Sequence, residues 1–71
     1  MKNYLFTNCK DIELDFDASD FKDAVGELEF HLQCHDEYMV DVVNGKDMLV
    51  DVYLSGHYFD TLMCYERVPV S

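Results

Sequence analysis

The sequence predicts an α+β domain of order ββαβββ, with an antiparallel or mixed five-stranded sheet and one helix over one face. Three features carry that expectation. Apolar and polar residues alternate with period two through Ile12-Glu13-Leu14-Asp15-Phe16-Asp17 and through much of 38–63. One stretch, 21–32, instead spaces its apolar residues for a helix. Asn44-Gly45 and Ser55-Gly56 then divide the second half into strand-sized pieces.

The first two strands read as a hairpin. Tyr4-Leu5-Phe6-Thr7 is strand-like, and Asn8-Cys9-Lys10 serves as a three-residue turn before the alternating run. Pairing Thr7 with Asp11 puts Tyr4, Phe6, Ile12, Leu14 and Phe16 on one face. Leu5, Thr7, Asp11, Glu13 and Asp15 then share the other.

A helix over 19–34 follows. Ser19 is the expected N-cap, and Asp20 and Asp23 suit the positive end of the helix dipole. Phe21, Ala24, Val25, Leu28 and Leu32 form one apolar face, while Phe30 points away from it. Gly26 opposes the helix, since glycine costs about 1 kcal/mol relative to alanine in a helix interior. Residues 27–34 also alternate cleanly, so the competing reading is a short helix stopping at Gly26 and then a strand.

The second half reads as a three-stranded meander. With Asn44-Gly45-Lys46 as its first turn, Val42 faces Met48, Val40 faces Val50 and Tyr38 faces Val52. With Ser55-Gly56 as a two-residue second turn, Leu54 faces His57, Val52 faces Phe59 and Val50 faces Thr61. Phe59 and Met63 then join the inner face. A slip by one residue would turn Asp41, Asp51 or Asp60 inward, at the cost of burying a charge.

Composition narrows the function classes. Five basic residues against 15 acidic ones give a net charge of −10 over 71 residues, yet 49% of the chain is hydrophobic. A disordered acidic tail would be far poorer in apolar residues, so residues 1–71 are expected to form one small acidic domain. No apolar run approaches the roughly 18 residues of a membrane span, and the first residues lack the apolar core of a signal peptide. Three cysteines, an odd number, fit a reducing cytoplasm better than a disulfide scaffold. Direct nucleic-acid binding is disfavoured because phosphates would be repelled.

Chemical motifs are sparse. His31, Cys34 and His35, with His57 and Cys64 elsewhere, have no common zinc-site spacing, so no metal or cofactor is expected. Asp15-Phe16-Asp17-Ala18-Ser19 resembles the start of a calcium loop, but Asp20 and Gly26 stand where that loop needs Gly and Glu. No nucleophile–base pair or glycine-rich phosphate loop can be assembled, and the chain is expected not to be an enzyme.

The open face of the sheet is the candidate site. Its 17 expected positions include eight acids and no base. The residues assigned to partner binding are Glu13, Asp15, Asp41, Asp51 and Asp60, with Leu49, Tyr53 and Tyr58 as apolar anchors. In the register above, Asp51 lies directly across from Asp60. Large apolar groups among carboxylates suit docking more than solubility alone, because acids steer an encounter while Tyr and Leu supply buried area.

The expected partner is a protein with a basic, nucleic-acid-binding surface, which the chain would block by mimicking nucleic-acid charge. In size, charge and strand content the chain is similar in kind to phage-encoded DNA mimics, such as inhibitors of restriction enzymes, CRISPR effectors or uracil-DNA glycosylase. That likeness lies in composition and carries no motif. It implies an anti-defence role in a host cytoplasm. The alternative is a homo-oligomeric or adaptor module, such as a homodimer, that uses the open face or an edge strand for assembly.

Overall fold

A computed structural model describes residues 1–8 and 11–67. Five strands and one helix follow in the order β1 (Lys2–Thr7), β2 (Glu13–Ala18), α1 (Phe21–Gln33), β3 (Tyr38–Asn44), β4 (Leu49–Leu54) and β5 (His57–Arg67). The ββαβββ order and α+β class are as the sequence predicts. All strand pairs are antiparallel, in the order β2-β1-β5-β4-β3, so β5 joins the two hairpins at the centre of the sheet.

The helix starts later than Ser19 suggests. Asp20 is the N-cap, with extended backbone and a carboxylate that accepts the Asp23 N–H at 2.9 Å. Ser19 instead gives its hydroxyl to the Asp23 carboxylate. The helix then runs through Gly26 to Gln33, so residues 27–33 are helical and the alternation there forms no strand. Ala24 and Leu28 are fully buried, and Phe21, Val25 and Leu32 are half-buried against the core. Phe30 stands off that face, 69% exposed.

Core packing follows the predicted inner parity on four strands. Tyr4, Phe6, Ala18, Val50, Val52, Leu62 and Cys64 join Ala24 and Leu28 in one buried cluster. Phe6 packs against Phe16 and Phe21, with ring centroids 6.2 and 6.5 Å apart. The helix lies nearest β2 and β3, the two edge strands, so the sheet curls around it. The uncovered face is therefore convex. Side chains of α1 also blunt one edge: Glu29 accepts the Val40 N–H at 3.0 Å, and Gln33 donates to the Tyr38 carbonyl at 3.1 Å.

Three registers differ from expectation, with unequal consequences. In the first hairpin Thr7 pairs with Glu13 instead of Asp11. Asn8 stabilises the longer connection, accepting the Asp11 and Ile12 N–H groups at 3.1 and 3.0 Å. Cys9 and Lys10, two of the three residues expected to turn there, lie outside the described residues. In the second hairpin Val42 pairs with Val50 and Val40 with Val52, a shift of two positions. Its turn runs past Lys46 to Met48, which takes positive φ, while the Asn44 side chain accepts the Lys46 and Asp47 N–H groups. A two-residue shift keeps the side chains up to Val42 on their faces, while an irregularity between Val42 and Asn44 brings Asn44 opposite Leu49 on the open face.

The third change does not keep the faces. The Ser55-Gly56 turn forms as expected, with φ of 52° and 83° and Leu54 opposite His57. Tyr53 pairs with Tyr58, but the next pair is Val52 with Asp60, leaving Phe59 as the extra residue of a β-bulge. From there β5 is turned over relative to expectation. Leu62 and Cys64 point inward and are buried, while Thr61 and Met63 share the open face with Asp51 and Leu49. Val52 and Val50 therefore face Asp60 and Leu62 instead of Phe59 and Thr61, and Met63 leaves the inner face, while Phe59 stays on the helix side against Tyr38.

Candidate functional site

The registers place the open-face side chains in rows across the sheet. At one end Asp17, Asn3 and Arg67 lie side by side, followed by Asp15, Leu5 and Tyr65. The middle row is Glu13, Thr7, Met63, Leu49 and Asn44. Beyond it Thr61, Asp51 and Asp41 are adjacent, and Tyr58, Tyr53 and Met39 form the last row. Acids thus flank an apolar strip of Leu5, Tyr65, Met63 and Leu49. Glu13, Asp15 and Asp17 stand on the β2 side, and Asp41 and Asp51 on the other.

Most predicted site residues are brought together, and Asp60 is not. Glu13, Asp15, Asp41, Asp51, Leu49, Tyr53 and Tyr58 all sit on the convex face. Asp60 pairs with Val52 on the inner parity, where it is half-buried at the margin of the core. Its carboxylate accepts the Asn8 amide at 2.8 Å and the Thr61 N–H at 2.8 Å. These bonds satisfy a charge that the register argument had excluded from this side.

Asp51 consequently does not oppose Asp60. It stands opposite Thr61, whose hydroxyl donates to the Asp51 carboxylate at 2.6 Å. Thr61 spends its only hydroxyl proton there, so at 2.7 Å the Tyr58 hydroxyl donates to Thr61. The chain Tyr58 to Thr61 to Asp51 orients both anchor and acid. Tyr58 also meets Tyr53 edge-on, with ring centroids 6.2 Å apart. The like-charge pair that does form is Asp41 with Asp51, directly opposed on β3 and β4. Among the described residues neither has a cation at ion-pair distance.

The face is not free of bases. Arg67 lies on it, contacting the Asp15 carboxylate and the Asn3 side-chain oxygen at 3.2 and 2.7 Å. Asn3 in turn donates to Asp15 and Asp17. Glu66 lies opposite Tyr4 on the other parity and pairs with Lys2 at 3.3 Å. That hydrogen bond and charge raise the Lys2 pKa above its ordinary value. Lys2 and Glu66 are both solvent-exposed, and such pairs contribute little stability. Residues the sequence reading missed here are Asn3, Asp17, Thr61, Met63, Tyr65 and Arg67. Period-two alternation signals Asp17 on β2 and Asn3 on β1; nothing in the β5 sequence marks the bulge that brings Thr61, Met63, Tyr65 and Arg67 to this face.

Among the described residues no three of His, Cys, Asp and Glu gather as a metal-binding group. His31 and His35 pack edge to face, 5.2 Å apart, with His31 also against Phe16. No helix among the described residues is long and apolar enough to cross a membrane.

Fold and site together define an α+β domain with one helix-covered sheet face and one convex, acid-flanked face. Comparison with protein-family models, curated proteins and solved structures yields no match.

Proposed function

We propose that the chain is a small protein-binding inhibitor or modulator that docks its convex face on a basic, nucleic-acid-binding surface of another protein. The observation that carries this reading is the Asp41–Asp51 pair. Two carboxylates directly opposed on a sheet destabilise the free protein, and a cation from a partner relieves that repulsion. Leu49, Tyr53 and Tyr58 beside them supply area to bury, with Tyr58 held by its hydrogen bond to Thr61.

Charge mimicry gains support from the layout. Glu13 and Asp51 are three strands and one row apart, roughly 16 Å across the sheet. That is of the order of the ~12 Å width of a DNA major groove, whose two edges are rows of phosphates. Glu13, Asp41 and Asp51 are the phosphate stand-ins on this reading. Arg67 already neutralises part of Asp15, which contributes less. Targets of this kind include the enzymes of anti-phage defence, so an anti-restriction or anti-CRISPR role in a host cytoplasm is the biological form proposed.

Self-assembly through β3 is the second reading, favoured by Val42 and Val43, both exposed on that edge strand. Antiparallel pairing of two β3 strands about their centre would set Asp41 against its own copy, between chains that each carry −10. A basic partner is the better electrostatic match. The test is retention of cytosolic proteins on the immobilised chain, followed by elution with salt and with duplex DNA. Retained proteins should bind DNA, be displaced by it, and be lost with Asp41→Lys/Asp51→Lys. Retention that survives the double reversal and near-molar salt would refute the reading.

A further inference from the structure

The β1–β2 loop, the α1–β3 loop and the β4–β5 turn meet at one end of the molecule. There a groove of about 370 Å³ opens between the C-terminal half of α1 and the sheet. Its floor is the buried pair Val52 and Leu62, and its apolar walls include Leu14, Leu32, Tyr38 and Phe59. Phe59 is there because of the bulge, which removes it from the regular ladder and leaves it 48% exposed. Its ring meets Tyr38 edge-on at 5.7 Å.

Charge surrounds this apolar floor on both sides. Asp11 and Glu13 line the groove, and a second depression that shares Tyr38 is lined by Asp36 and Glu37. Among the described residues no lysine or arginine lines either depression. The carboxylates of Asp11, Asp36 and Glu37 favour a cationic ligand over a neutral one, and a nucleic acid would be repelled. A second copy of this chain offers only five basic residues against 15 acids.

We propose that this groove binds a short basic segment of a partner protein, with one aromatic or aliphatic side chain seated on Val52 and Leu62. Lysine or arginine residues flanking that anchor meet Asp11 on one side and Asp36 and Glu37 on the other. A cationic side chain passing the groove edge also lies against the faces of Tyr38 and Phe59. The site is on the helix side of the sheet, away from Asp41 and Asp51, and does not depend on the convex face binding anything.

The experiment is amide chemical-shift mapping of the full chain with three capped pentapeptides: Lys-Lys-Phe-Lys-Lys, its alanine-centred analogue and the all-glutamate analogue Glu-Glu-Phe-Glu-Glu. The first peptide should move the amides of Leu32, Phe59 and Leu62. The alanine analogue should bind about tenfold more weakly, because it lacks the buried ring. The glutamate analogue should not bind. Phe59→Ala, at a half-exposed position, and Glu37→Lys, on a loop, should each weaken the first peptide several-fold. Equal affinity for the phenylalanine and alanine peptides, shifts confined to the Asp41–Asp51 region, or no shift at all would overturn the proposal.

Discussion

Under the proposed docking of the convex face, single residues carry a tension between stability and binding. Asp41 and Asp51 face each other without a nearby cation among the described residues, so removing one charge relieves the free protein. Asp41→Asn is expected to raise unfolding stability by about 0.5 kcal/mol in urea titrations, while weakening capture of the basic partner. A loss of stability would mean that the pair is not repulsive. Cys64 shows a second residue-level effect, this one tied to pH. Burial first, and the Glu66 carboxylate second, push its thiol up from 9.0 to about 11. The unfolded chain releases that proton at lower pH than the folded one. Stability is therefore full below about pH 9 and lost as pH rises through about 11. Tyr4, raised by burial, and Lys2, raised by Glu66, act in the same direction. Urea midpoints measured across this alkaline range should fall, and Cys64→Ala should flatten part of the slope. A rise would contradict the burial account.

At the level of elements, the helix offers a clean test of local propensity. Gly26 is exposed mid-helix, with open space where a Cβ would project. Gly26→Ala should stabilise the domain by about 0.8–1 kcal/mol, read as a higher urea midpoint. An unchanged midpoint would show that this turn of α1 contributes nothing to global stability. The helix itself was legible because Ala24, Leu28 and Leu32 share a face whatever Gly26 costs. The faces of β1–β4 were legible too, although two of their registers were displaced. Both moved by two positions, and period two hides such a shift from any argument about which side a residue faces. The third registry was not legible. Beyond Asp60, β5 has Leu62 and Cys64 on one parity and Met63 and Tyr65 on the other, so either side could be buried without stranding a central charge. The rule that acids stay outside holds in the middle of the sheet and lapses at its margins. There Asn8 can serve Asp60, and Lys2 can serve Glu66. Thus Leu49, Asp51 and Tyr53 were placed correctly on the site from pattern alone, while Asp60 was not.

For the whole molecule, shape and charge act together. The domain is elongated, 39 × 23 × 22 Å, and carries a net charge of −10. On the proposed reading the convex acidic surface docks in a basic cleft, and its association should be fast at low salt and fall steeply as salt rises. The most direct measurement of this central claim is the affinity for a partner captured from cytosol, taken as a function of salt for the wild-type chain and for Asp41→Lys/Asp51→Lys. The account predicts a steep linear fall of log affinity with log salt, competition by duplex DNA, and loss of binding in the double variant. Affinity that is flat from low to near-molar salt and indifferent to both reversals would contradict it.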